Sequence, residues 1–122
     1  FPYTTLFRSC ILVASKVNGC IYCASVHARK AAQLAKDETA VETLLAVTPG
    51  ENLSDGQTPG WQAQIDFAAA ISVTPPALAA GHLAAVEQQG LDTLAQLDLL
   101  QSAAFFAWAN RLMLTLGEPW QE

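Results

Sequence analysis

Basic residues are scarce in this chain. Six Lys and Arg stand against eleven Asp and Glu, for a net charge of −5, and no Lys/Arg cluster offsets the imbalance. An acidic surface repels phosphate backbones, so nucleic acid is not an expected partner. Charged residues of both signs make up only 14%, against 52% hydrophobic, a balance that suits a buried core and not a disordered chain. No basic segment followed by an apolar run and a small-residue cleavage site opens the sequence, so no secretory signal is expected. A membrane span is not expected either. The most apolar stretch, Leu99–Leu116, contains Gln101, Ser102, Asn110, Arg111 and Thr115, too polar for a lipid-facing helix. Alternating strand patterns and solenoid-length repeats are both missing. Cysteines number three, two of them in a CxxC. That is no even disulfide framework, and it points to an intracellular, cytoplasmic redox or metal site.

The 122 residues fit one all-α domain of about five or six helices. Ile11–Val17 is an apolar stub ending a helix, with Asn18-Gly19 as its stop and turn. Strong helix formers run from Cys20 to Lys36. Asp37 is the expected N-cap of a helix over Glu38–Val47, and Thr48–Pro59 is the one clear loop. Thr58-Pro59 opens a helix to about Ser72, with Trp61, Ile65, Ala68 and Ala69 on one face. Thr74-Pro75-Pro76 repeats that start signal for a helix ending at Gly90. Asp92 caps a last element that runs to Gly117, with Pro119 beyond and an interruption expected near Leu97–Asp98. Phe105, Phe106, Trp108, Leu112, Met113, Leu114 and Leu116 leave this final helix apolar nearly all round. Such a helix needs cover on every side, which predicts a homo-oligomer.

The first nine residues, Phe1 to Ser9, read differently. They show no helical period and hold three of the chain's seven Phe and Tyr residues. The string resembles the translation of a DNA sequencing adapter. The expected domain is therefore 10–122, truncated at its N-terminus, with 1–9 a non-native segment.

Chemistry concentrates at Cys20-Ile21-Tyr22-Cys23-Ala24-Ser25-Val26-His27. At about 100° per residue, Cys20, Cys23 and His27 fall within about 60° of one another on a helix. Ala24, Ala31, Leu34 and Ala35 share that apolar face, while Arg29 and Lys36 point away. Cys23 and His27 are four residues apart, close enough for contact. A thiolate is the nucleophile, and burial alone would raise its pKa. A neighbouring His can take the proton, and the helix N-terminus favours the anion. A sulfenic acid on one thiol can condense with the other one turn away. Spacing leaves open which attacks first: the helix dipole favours Cys20, and the shorter separation from His27 favours Cys23.

Asn18-Gly19-Cys20-Ile21-Tyr22-Cys23-Ala24-Ser25-Val26-His27 resembles the signature of the AhpD-like, carboxymuconolactone-decarboxylase superfamily. Ser102 to Leu112 resembles the closing helix of its peroxidase-related members, and the likeness runs from Cys10 to Pro119. The resemblance implies an AhpD-like bundle, oligomeric, with the CxxC at the start of a helix. It implies an antioxidant alkylhydroperoxidase with Cys23 as peroxidatic thiol, Cys20 as the resolving and more exposed thiol, and His27 in a proton relay. No cofactor is implied. The partners would be a small hydroperoxide and a dithiol reductant, a lipoylated protein in well-known members. Decarboxylase members generally lack the CxxC. One departure matters: the family usually carries a Glu about fifteen residues ahead of the second motif cysteine. That place is Arg8 here, so the relay is expected to be incomplete and activity impaired.

Competing assignments are a zinc site built from Cys10, Cys20, Cys23 and His27, an inert buried CxxC, and a non-catalytic redox switch or helical partner module. Cys10 reads as a small core residue. His82 reads as a surface or satisfied histidine, Arg111 as structurally paired, and Trp61, Trp108 and Trp120 as packing residues.

Overall fold

A computed structural model describes residues 3–35, 38–48 and 51–117. Among them are six helices and no strand: α1 (Tyr3–Val17), α2 (Ile21–Ala35), α3 (Glu38–Ala46), α4 (Pro59–Ser72), α5 (Ala80–Gln88) and α6 (Thr93–Leu116). The chain is all-α, as its periodicity predicts. No helix among the described residues is long and apolar enough to cross a membrane.

The bundle is organised around α1, which packs against α2, α4 and α6, while α4 also meets α5 and α6. Ile11, Leu12, Val13, Ala14 and Ser15 are consecutive and all buried, so every side of this stretch is covered. A helix apolar all round belongs in the middle of a bundle, and this one takes that place. Phe67, Ile65 and Ala68 of α4, with Leu99 and Ala103 of α6, complete the core against it. Cys10 lies in this core, where burial pushes its thiol up to about 12.

Several boundaries differ from the sequence reading, each for a physical reason. The first helix is longer than the expected stub Ile11–Val17 and begins at Tyr3, and Ser9 is buried. Once the apolar Ile11–Val17 turns have nucleated, extending a helix adds a hydrogen bond for each residue fixed. Helix α5 starts at Ala80 and not at Pro75, because the intervening backbone is tied elsewhere. The Ala77 N–H donates to the Ala70 carbonyl at 2.8 Å, and the Ala79 N–H donates to His82 Nδ1 at 2.9 Å. His82 is therefore satisfied locally. Helix α6 is continuous for 24 residues, with no break at Leu97–Asp98.

Other start signals hold. Pro59 opens α4, and Asp92 caps α6 by accepting from the Ala95 N–H at 2.9 Å. Arg111 pairs with the Thr74 hydroxyl, though on an exposed surface. Trp61 is packed, but Trp108 is more than half exposed. Asp37, Lys36, Pro119 and Trp120 lie outside the described residues.

Candidate active site

The CxxC sits where α1 gives way to α2, and the backbone there is specified residue by residue. The Asn18 N–H donates to the Ala14 carbonyl at 3.0 Å, continuing α1 by one residue. Gly19 then takes φ +74°, a left-handed conformation that favours glycine and closes the helix. The Cys20 N–H turns back to the Ser15 carbonyl at 3.0 Å, while the Cys20 carbonyl receives the Ala24 N–H at 2.9 Å. Cys20 is thus the N-cap of α2, beside amides with no partner inside the helix. An anion on its sulfur would be favoured there.

Three polar side chains fasten this junction to α6. Asn110 is fully buried and donates from Nδ2 to Ser15 Oγ at 3.2 Å. Its Oδ1 accepts from Asn18 Nδ2 at 3.4 Å. Asn18 also donates to the Ala14 carbonyl at 2.8 Å, and Ser15 Oγ donates to the Ile11 carbonyl at 2.8 Å. One amide on α6 therefore holds the last turn of α1 and the residue before the glycine turn. With α6 so fixed, two of its side chains reach α2. Phe106 packs edge-on against His27, ring centroids 4.8 Å apart. Met113 Sδ lies 3.3 Å from Cys23 Sγ.

Cys20 and Cys23 pair as a disulfide, with Cα atoms 5.4 Å apart. Both are buried, Cys20 at 0% and Cys23 at 4% exposure. This corrects the expectation that Cys20 is the more exposed sulfur: the N-cap position tucks it under the end of α1, whereas Cys23, a turn further on, keeps a sliver of surface. An open cavity of about 330 Å³, mostly apolar, adjoins Cys20 and is walled by Lys16, Gly19, Ile21, Ala24, Ser25 and Leu45. The Lys16 ammonium closes one edge by donating to the Leu45 carbonyl at 2.6 Å. Ala31 is buried on the same side of α2 and Arg29 is exposed, as the helical wheel predicts. The side chains of Leu34 and Ala35 lie outside those described.

His27 is half-buried, and its Nδ1 lies 3.5 Å from Arg8 Nη1. Position 8 thus faces His27, where the family resemblance calls for a carboxylate. Desolvation lowers the His27 pKa from its ordinary 6.5, and the Arg8 cation lowers it further. The contact also sets the tautomer. Guanidinium only donates, so Nδ1 must accept and the proton of the neutral ring lies on Nε2. Such a ring is a donor at Nε2. A carboxylate at position 8 would accept from Nδ1–H instead and leave Nε2 free as a base, the arrangement of hydrolytic triads.

The four residues considered for zinc are not gathered: among the described residues no group of three or more His, Cys, Asp or Glu is placed to hold a metal ion. Sequence reasoning missed the α6 contributions. Phe106, Asn110 and Met113 are spaced by four and three, the signature of one helix face, but no pattern within α6 says that this face meets the CxxC. Comparison with protein-family models returns no match, and comparison with curated proteins returns none either.

Two outcomes follow from this geometry. Asn110→Ala leaves the Ser15 hydroxyl and the Asn18 amide short of a partner and should cost about 1–3 kcal/mol in urea unfolding. Arg8→Glu should raise the His27 pKa and move its neutral-state proton from Nε2 to Nδ1. Both changes are readable by nitrogen-resolved NMR titration of the imidazole, and an unchanged tautomer would contradict the role assigned to Arg8.

Proposed function

We propose that this chain is a thiol-dependent hydroperoxide reductase of the AhpD-like, peroxidase-related kind. The observation that carries the reading is the Cys20–Cys23 pair at bonding distance on the first turn of α2, with His27 one turn beyond. The resemblance of Asn18–His27 to the signature of that superfamily supports it, as does the cavity beside Cys20, whose apolar walls suit an uncharged dithiol.

In this reading Cys23 is peroxidatic. Its thiolate attacks the distal oxygen of ROOH, an S–O bond forms, the O–O bond breaks, and the alkoxide leaves as alcohol on taking a proton. The Cys20 thiolate then attacks the sulfenic sulfur, forming the disulfide and expelling water. An external dithiol, a lipoylated protein on the family pattern, restores both thiols by exchange. His27 serves as proton carrier, and no cofactor is required. A cycle that needs repeated reduction suits the cytoplasm. Arg8 supports a second, weaker reading, a reversible redox switch with slow turnover, because the guanidinium faces the lone pair of Nδ1 and disfavours the imidazolium, which makes the ring a poor base.

The assay is consumption of tert-butyl hydroperoxide with dihydrolipoamide as donor. Turnover is expected to be slow in this chain, faster in Arg8→Glu, and at background in Cys23→Ser. Equal rates with and without Cys23 would overturn the peroxidase reading. A reversible disulfide without turnover in either Arg8 form would favour the switch.

The outer face of α6 supports self-association. Opposite the buried Leu99, Ala103 and Asn110, it presents Leu94, Leu97, Phe105, Trp108, Leu112 and Leu116, with Phe105 57%, Trp108 55% and Leu116 82% exposed. Aromatic side chains of this kind bury ~150–250 Å² each when covered. The stripe therefore leaves several hundred Å² of apolar surface, about the most a monomer leaves bare and approaching the roughly 800 Å² each partner gives a standard interface. The occupant is a second copy of the chain. Phe105 is midway between Leu94 and Leu116, so two antiparallel α6 helices would bring these ends together about a two-fold axis. Sedimentation should find a dimer or higher assembly that Trp108→Asp dissociates; a monomer at micromolar concentration would refute it.

A further inference from the structure

Met113 is the chain's one methionine, and its sulfur is set against the redox pair. The Sδ–Sγ distance to Cys23 is 3.3 Å, shorter than the ~3.5–4.0 Å optimum of ordinary carbon pairs. No oxygen fits between the two atoms. Met113 follows Asn110 by one turn of α6, so the clamp on the α1–α2 junction also fixes where its backbone stands. Cys23 Sγ is thereby bounded by Cys20 on one side and by the thioether on another, with only 4% of the residue exposed.

Once Cys23 carries a sulfenic acid, two reactions compete for it. Attack by Cys20 forms the S–S bond, breaks the S–O bond and releases water. It is intramolecular and needs no access from outside. A second ROOH instead delivers another oxygen to sulfur, giving Cys23 sulfinic acid and ROH, a product that dithiols do not reverse. That step is bimolecular and requires an open path to the sulfur. A side chain covering Cys23 slows the second reaction and leaves the first untouched. Methionine suits the task, because an unbranched, polarizable chain can yield to the first oxygen and close again.

We infer that Met113 is a positioning residue that covers Cys23 and directs its sulfenic acid to Cys20, protecting the pair from over-oxidation. The inference rests on the peroxidase reading above and adds to it a determinant outside the CxxCxxxH motif.

The test reads products and not activity. Reduced full-length protein is pulsed with tert-butyl hydroperoxide, remaining thiols are alkylated, and the Cys20–Cys23 peptide is weighed. The parent should yield mostly disulfide, two mass units below the dithiol. Met113→Ala should yield several-fold more sulfinate, 32 units plus one alkyl group on Cys20 above the dithiol, at the same peroxide dose. Met113→Leu keeps the volume and guards against a general folding defect, and it should match the parent. A Met113→Ala product ratio equal to the parent's overturns the inference alone, and so does a Met113→Leu ratio as high as the Ala variant's. If Cys23 takes neither oxygen nor partner in any form, the peroxidase reading falls and this inference falls with it.

Discussion

A buried carboxamide must find partners for both its ends, and Asn110 of α6 finds them on the last turn of α1 and the residue just beyond it. Its donor end takes the Ser15 hydroxyl on α1 and its acceptor end takes Asn18 at the turn. An unpaired amide at this depth is costly, so α6 can slide or rotate only by breaking both bonds. Register between α6 and α2 is fixed in this way. Phe106 on His27 and Met113 on Cys23 are consequences of that single placement. Apolar packing alone would tolerate neighbouring registers, since Ala and Leu side chains are not directional.

The electrostatic character of the site is set by one side chain from the other end of α1. Arg8 and Phe106 both meet the His27 ring, and together they give it a half-buried, cation-facing environment. Desolvation and positive charge act in the same direction, against the imidazolium.

Much of the fold was legible because it is written in short-range signals. Asn18-Gly19, Thr58-Pro59 and Asp92 mark ends that the structure keeps. The shared face of Cys20 and Cys23 follows from helical geometry and survives in the disulfide. Errors arose where tertiary contacts decide. Pro75-Pro76 looks like a helix start, but the backbone after it is held by Ala70 and His82. The relative exposure of the two sulfurs depends on how the end of α1 overhangs the N-cap, which no local pattern encodes. The α6 helix reads as apolar all round. Only its mate in the bundle determines that Leu99, Ala103 and Asn110 turn inward and Trp108 outward.

Cys10 gives the chain a property that neither CxxC sulfur could supply. Three cysteines allow three pairings, and two of them would involve Cys10. With its thiol sealed in the core and held protonated to about pH 12, it offers no nucleophile to a neighbouring disulfide. Scrambling is thus blocked for as long as the chain stays folded. Oxidation of the native protein has one cross-linked outcome, and any bridge to Cys10 would be a chemical record that a molecule had come apart.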